Sequence, residues 1–230
     1  MFKLLTQNTK LAKGSAFGFY NVGLSLSPHR SSGYQTCPMA SAGCAAACLF
    51  NSGAAKVYQR INEIRIAKTK MFFEDRPRFM ELLRKDIETA KRKAAREGKT
   101  LVVRLNVLSD IRWENHGIIQ SFPEFQWMDY TKDANRMAPD SLASSLPNYH
   151  ITFSRSESNQ RDVERVIGWG KNVAAVFAGA LPDTYLGRPV VNGDEHDIRC
   201  IDPKGVIVGL VEKRTKVTDS TGFIVRPETA

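Results

Sequence analysis

Residues 149–177 read YHITFSRSESNQRDVERVIGWGKNVAAVF, and the spacing predicts strands over 149–154 and 173–177 with a helix over 159–169 between them. A strand, a helix and a second strand form a βαβ unit, whose strands pair in parallel. Upstream the rhythm repeats, with a helix predicted over 114–122, a strand over 125–130 and a short helix near 133–137. Before these lies TLVVRLNVL (100–108), short and rich in β-branched residues, which predicts another strand. The segment 77–96 reads as a helix that opens on Pro77, turns Phe79, Leu82, Leu83, Ile87 and Ala90 inward and stops at Gly98. Apolar residues at three- and four-residue steps, among them Val57, Ile61, Ile64, Ala67 and Met71, predict a helix over 54–73. FGFYNVGLSL (17–26) alternates at period two and reads as the first core strand. IRCIDPKGVIVGLVE (198–212) reads as a hairpin or a closing strand. The expected fold class is α/β: parallel βα units forming a partial or complete (β/α) barrel of TIM-like type, with all strand C-termini on one edge. The expected organisation is a single domain over 1–230, made of an N-terminal arm (1–16), an α/β core (17–212) and a polar C-terminal tail (213–230).

With 42% hydrophobic and 25% charged residues in 230, the composition is that of an ordinary globular protein. No apolar run approaches the roughly 18 residues of a membrane span. The start MFKLLTQNTKLAKG is too polar for a signal peptide, so a cytoplasmic protein without membrane contact is expected. The net charge of +9 makes a nucleotide or nucleic acid the expected kind of partner. The densest basic stretch, RKDIETAKRKAAREGK (84–99), contains no aromatic residue for base stacking, and it reads as a solvated helix face or as a phosphate-contacting one.

The most distinctive motif is CPMASAGCAAAC, carrying Cys37, Cys44 and Cys48 in the loop that leaves the first strand. In a reducing compartment, cysteines packed this closely are ligands or redox groups before they are disulfides. Thiols at Cys44 and Cys48 stand one helical turn apart, and the longer loop returns Cys37 toward them. The small residues around them leave room for a bulky group, which favours an iron–sulfur cluster, expected as [4Fe–4S], over zinc. Plain packing of small cysteines in an Ala-rich helix is the third alternative. Cys200 is a candidate fourth ligand; without it one iron stays open to a substrate or cofactor.

The strand ends are the second signal, because ligands of parallel α/β sheets bind at the C-terminal edge. Asn106, Ser109 and Asp110 end one strand, Asp129 and Lys132 the next, and Ser154, Ser156 and Glu157 a third. All are candidates for binding cofactor or substrate, although Ser, Asp and Asn also cap helices. Asp194, His196 and Asp197 in NGDEHD form a compact cluster able to bind a metal or to act as acid and base, and are the candidate catalytic residues.

A cysteine triplet after the first strand, followed by βα units with polar strand ends, resembles the radical S-adenosylmethionine enzymes. That resemblance implies a partial barrel, a [4Fe–4S] cluster on three cysteines and S-adenosylmethionine at the open iron. The gaps of six and three residues here are wider than that superfamily's usual C-x-x-x-C-x-x-C. A closer resemblance, carried by CPMASAGCAAAC, LNVLSDIRWE, FQWMDYTK, NYHITFSRSE, VAAVFAG and GDEHDIRCIDPKGVIVGL, is to the phage-encoded gene product eighty-eight family. It implies a phage origin and the cytoplasm of an infected host cell. The leading expectation is an iron–sulfur enzyme of radical S-adenosylmethionine type acting on a nucleotide or nucleic acid. The alternatives are a nucleic-acid-binding or host-interaction protein with a structural metal site, and a non-redox metal-dependent hydrolase.

Overall fold

The computed structural model describes residues 3–48, 50, 59–213 and 219–226. Its strands are β1 (Leu5–Thr6), β2 (Phe19–Leu24), β3 (Thr100–Arg104), β4 (Gln126–Thr131), β5 (Tyr149–Ser154), β6 (Val173–Phe177), β7 (Thr184–Tyr185), β8 (Arg188–Asn192), β9 (Ile207–Val211) and β10 (Ile224–Val225). The helices among the described residues are α1 (Thr9–Ala12), α2 (Ala42–Ala46), α3 (Gln59–Glu74), α4 (Arg76–Arg96) and α5 (Gln160–Gly168). The expected helix over 54–73 is seen from Gln59 onward, and its first residues lie outside the described ones.

All strands join one sheet in the order β1-β2-β3-β4-β5-β6-β9-β8-β7, and β10 pairs with β6. From β2 to β8 every neighbouring pair is parallel. The fold is therefore a mixed α/β structure on a mostly parallel sheet, as the βαβ rhythm implies. The sheet is open, so the complete barrel, one of the two expected forms, is not formed. Its parallel edges are covered by short antiparallel partners, β1 on β2 and β7 on β8, so β2 and β8 do not meet. Two crossovers also lack the expected helices: the chain between β3 and β4, and between β4 and β5, makes only 3₁₀ turns at Trp113–His116 and Ala134–Arg136. Large side chains fill that layer instead, with Trp113, Ile118, Ile119, Phe122, Phe125 and Trp127 all buried.

Alternation along the strands sorts side chains to two faces. Val22, Leu101, Val103, Trp127 and Tyr149 turn to the outer face, where α4 packs Phe79, Leu83, Ile87 and Ala94 against them. That helix keeps the period and the ends read from its sequence, with Asp75 as N-cap accepting from Arg78 N and Gly98 at φ 63° just past its end. The inner face carries Asn21, Val102, Arg104, Met128 and Tyr130 and is covered by α1 and the segment 194–202. The stretch read as an N-terminal arm takes part in the sheet and the core, with Leu4, Leu5 and Leu11 buried. In the stretch expected as a polar tail, Ile224 is buried and β10 runs parallel to the second half of β6, beyond the end of β5. Residues 198–212 give β9, parallel to β6, and no hairpin.

Candidate functional site

The cysteine segment lies over the C-terminal edge of the sheet because three anchors pin it there. Thr36 binds the edge twice, its hydroxyl donating to Ser27 O at 2.7 Å and its carbonyl accepting Asp110 N–H at 2.8 Å. Cys37 Sγ lies 3.4 Å from Leu108 O. Ser41 caps α2, its Oγ accepting Cys44 N–H at 3.2 Å. Glu157, at the end of β5, then takes Gly43 N–H at 2.7 Å and the Ser41 hydroxyl at 2.8 Å, so a strand-end carboxylate holds the helix that bears Cys44. Burial would raise the Glu157 pKa, and the two hydrogen bonds outweigh it and hold the carboxyl below its usual value.

All four cysteines are free and partly buried. Cys37 accepts an N–H from His29 at 3.4 Å, and His29 has a left-handed backbone with φ 50°. A positive φ at a non-glycine residue is uncommon and strained, and here it accompanies an amide donated to a sulfur. Burial pushes the Cys37 thiol up against the opposing pull of the His29 amide and the Thr36 hydroxyl. Burial likewise raises Cys48, which the Phe50 amide and the Lys132 ammonium partly offset. Cys44 acts electrostatically on Cys37 and Cys48, and Cys37 on Cys48. Arg65 and Lys132 both bear on Cys48. Among the described residues no three His, Cys, Asp or Glu side chains converge closely enough to hold a single metal ion. A tetrahedral zinc site needs sulfurs roughly 3.8 Å apart, from Zn–S bonds of ~2.3 Å. A four-iron cluster spreads its thiolates farther, and amides aimed at sulfur are a feature of such sites. Three free thiols, one of them accepting an amide N–H, are the donor type that an iron–sulfur cluster takes.

Cys200 lies elsewhere. It packs with Leu11, Val102, Met128 and Ile198 on the inner face, and its electrostatic neighbours are Asp202 and Arg199.

The strand-end residues form a buried network beside Cys37. The Asn106 carboxamide oxygen accepts from Ser109 Oγ, Ile111 N and Trp113 Nε1, and its amide donates to Ile111 O. Asp129 accepts Asn106 N–H at 2.6 Å and the Tyr149 hydroxyl at 2.9 Å. Asp110 accepts the Thr131 hydroxyl, Lys132 N–H and the Arg136 guanidinium, each at 2.8 Å. These polar groups are thus used on one another and shape the loop on which Cys37 rests. Lys132 differs: its ammonium lies 5.8 Å from the Phe223 ring centre, near Cys48. Ser156 and Asn159 fix the start of α5 through Ser156 N–H donating to Asn159 Oδ1, and Asn159 Nδ2 donates to Ser154 O. Sequence reasoning missed Arg136, Glu114 and Tyr149, the centre of this network. Arg136 grips Glu114 with two bonds of 2.8 and 2.9 Å and also reaches the Tyr149 hydroxyl. The partners are far apart in sequence, which leaves no local signal.

Asp129 gives the network a pH signature. Burial raises its pKa to about 7, against the pull of Arg136, the Asn106 amide and Arg104. The folded state then keeps a proton that the unfolded chain releases near pH ~4, so stability falls as pH rises from about 4 to about 7. Asp129→Asn is expected to flatten that slope, read from urea midpoints at the two ends of the window.

The candidate acid–base cluster sits on the inner face. Asp197 is buried and pairs with Arg104 at 2.6 Å, while Asp194 accepts from Lys213 Nζ and Val211 N–H. His196 contacts Arg199 and, edge-on, Phe17. Several buried atoms around it, among them Asn21 Oδ1, the Tyr130 hydroxyl and Arg199 Nε, have no hydrogen-bond partner among the described residues.

A strap formed by residues 219–226 closes the far side of the cysteine helix. Arg155 donates to Gly222 O and Phe223 O at 2.7 and 2.8 Å. Gly43 is required here for close approach, since a Cβ would enter the space of Thr221, Phe223 and Glu157. Gly43→Ala is expected to unseat the strap, seen as faster amide exchange over 219–226 with α4 unchanged.

The fold and site define an open, mostly parallel α/β protein with three free thiols grouped at the C-terminal edge of its sheet. The chain belongs to the Gene product 88 family, the phage family its sequence resembles, which it matches over residues 3–227. No curated protein and no solved structure matches it significantly. No described helix is long and apolar enough to cross a membrane.

Proposed function

We propose that Cys37, Cys44 and Cys48 hold a [4Fe–4S] cluster and that the protein is a radical S-adenosylmethionine-type enzyme acting on a nucleotide or nucleic acid in the cytoplasm of an infected cell. The observation that carries this reading is three free thiols on one segment anchored over the C-terminal edge of the sheet, with His29 N–H on Cys37. When bound to three thiolates, such a cluster offers an iron open to an exogenous ligand such as S-adenosylmethionine and supplies one-electron chemistry. The chain's own residues would do the rest. Glu157 fixes α2, the Asn106–Asp110 loop supports Cys37, and Lys132 and Arg65 offset negative charge at the sulfurs. The charge of +9 favours an anionic substrate.

The basic face of α4 supports a second reading, a nucleic-acid-binding or host-interaction protein whose metal only shapes the loop. Arg84, Lys85, Arg92 and Arg96 are exposed there. The Asp194, His196 and Asp197 cluster gives hydrolysis less support, because Asp197 is buried against Arg104 and Asp194 is tied to Lys213.

Electron paramagnetic resonance of anaerobically purified, dithionite-reduced protein separates the two. The first reading expects a reduced-cluster signal whose shape changes when S-adenosylmethionine is added. A colourless, zinc-loaded protein without signal supports the second.

A further inference from the structure

Beside the cysteine loop, on the outer side of the sheet, lies a cavity of about 260 Å³. Thr36 and Pro38, the neighbours of Cys37 in the chain, form part of its wall, and Phe72, Phe73 and Ile111 supply apolar surface. Its charged groups are unequally committed. Asp110 is paired with Arg136, which it shares with Glu114, and Asp133 with Arg112. Arg76 is exposed; its Nε donates to Phe72 O, its guanidinium lies 4.4 Å over the Phe72 ring, and among the described residues it forms no salt bridge with a carboxylate. A planar guanidinium held by stacking, with its remaining N–H groups free, is preorganised for a two-pronged bond to an oxyanion. Arg76 is also the first residue of α4, a 21-residue helix whose N-terminal dipole favours negative charge. His116 lines the same cavity, edge-on to Phe72 and Trp113. Burial and the nearby Arg76 hold its imidazole below the usual pKa, with Glu114 pulling the other way.

We propose that this cavity binds a small organic phosphate, with the Arg76 guanidinium gripping the phosphate, the His116 imidazole beside it and the body of the ligand against Phe73 and Ile111. Its volume lies just below the roughly 300 Å³ at which small-molecule pockets begin; this suits a mononucleotide-sized or smaller ligand and not a strand of nucleic acid. The proposal goes beyond the cluster reading and does not need it, since no cysteine lines the cavity. A bound ligand would nonetheless lie against the segment that carries Cys37.

Isothermal titration calorimetry on the full-length protein, whatever its iron content, tests the proposal with adenosine 5′-monophosphate, inorganic phosphate and adenosine as probes. The expected result is saturable one-site binding of the monophosphate, weaker binding of phosphate and none of adenosine. Arg76→Ala should weaken the monophosphate about tenfold or more, the loss of roughly one charge-assisted hydrogen bond. Arg76→Lys, which keeps the charge but not the fork, should fall between Ala and the native residue, and Arg161→Ala, exposed on α5 and outside the cavity lining, should bind as the native protein does. Absence of saturable binding, adenosine binding as well as the monophosphate, or equal losses in Arg76→Ala and Arg161→Ala would each overturn it.

Discussion

Arg136→Ala is expected to lower the unfolding free energy by about 3–5 kcal/mol, the range for removing one partner of a buried ion pair. Arg136 is 3% exposed and joins Glu114, itself 4% exposed, to Asp110 and the Tyr149 hydroxyl. Without the guanidinium the Glu114 carboxylate would be buried without its ion-pair partner, and Asp110 and Asp129 would lose the cation that balances them. Arg136→Met, which keeps the packing but not the charge, should be nearly as destabilising, showing that the loss is electrostatic. Urea unfolding followed by circular dichroism measures both. A loss below about 1 kcal/mol, the usual value of an exposed pair, would mean that the network is far more hydrated than its burial indicates. Because Asp110 N–H also binds Thr36 O, the variant should loosen the cysteine loop as well.

The second large effect separates the cysteines. Cys37→Ala, Cys44→Ala and Cys48→Ala should each abolish bound iron, since two thiolates do not retain a four-iron cluster, whereas Cys200→Ala should leave it intact. Cys200 packs with Met128 and Ile198 on the inner face, so its substitution costs only the packing of a small side chain. Iron content measured across the four variants checks this. Loss of iron in Cys200→Ala would indicate a closed site with four protein ligands and no iron open to S-adenosylmethionine.

Much of the sheet was legible from sequence because its strands are short, β-branched and buried on a face that alternation reveals. β5 and β6 span the predicted residues, and β2 lies inside the predicted run. Helix α4 was equally clear from Pro77, its apolar stripe and Gly98. Barrel closure was not, because the strands that cover the sheet edges are two residues long, and β8 (RPVVN) is half-exposed and contains a proline. At both ends a few apolar residues, Leu4, Leu11 and Ile224, bury themselves in otherwise polar stretches. At the candidate site, the cysteine motif and Glu157 were visible as residue types at strand ends. That Asn106, Asp110 and Asp129 serve one another through Arg136 was not, since those contacts span up to 26 residues and exist only in the folded chain.

The central claim, a four-iron cluster on Cys37, Cys44 and Cys48, is tested most directly by iron and acid-labile sulfide analysis of the native chain purified without oxygen. The expected result is a brown protein absorbing broadly near ~400 nm and holding about four iron and four sulfide per chain. A colourless protein with no iron after anaerobic reconstitution, or with one zinc in its place, would contradict it.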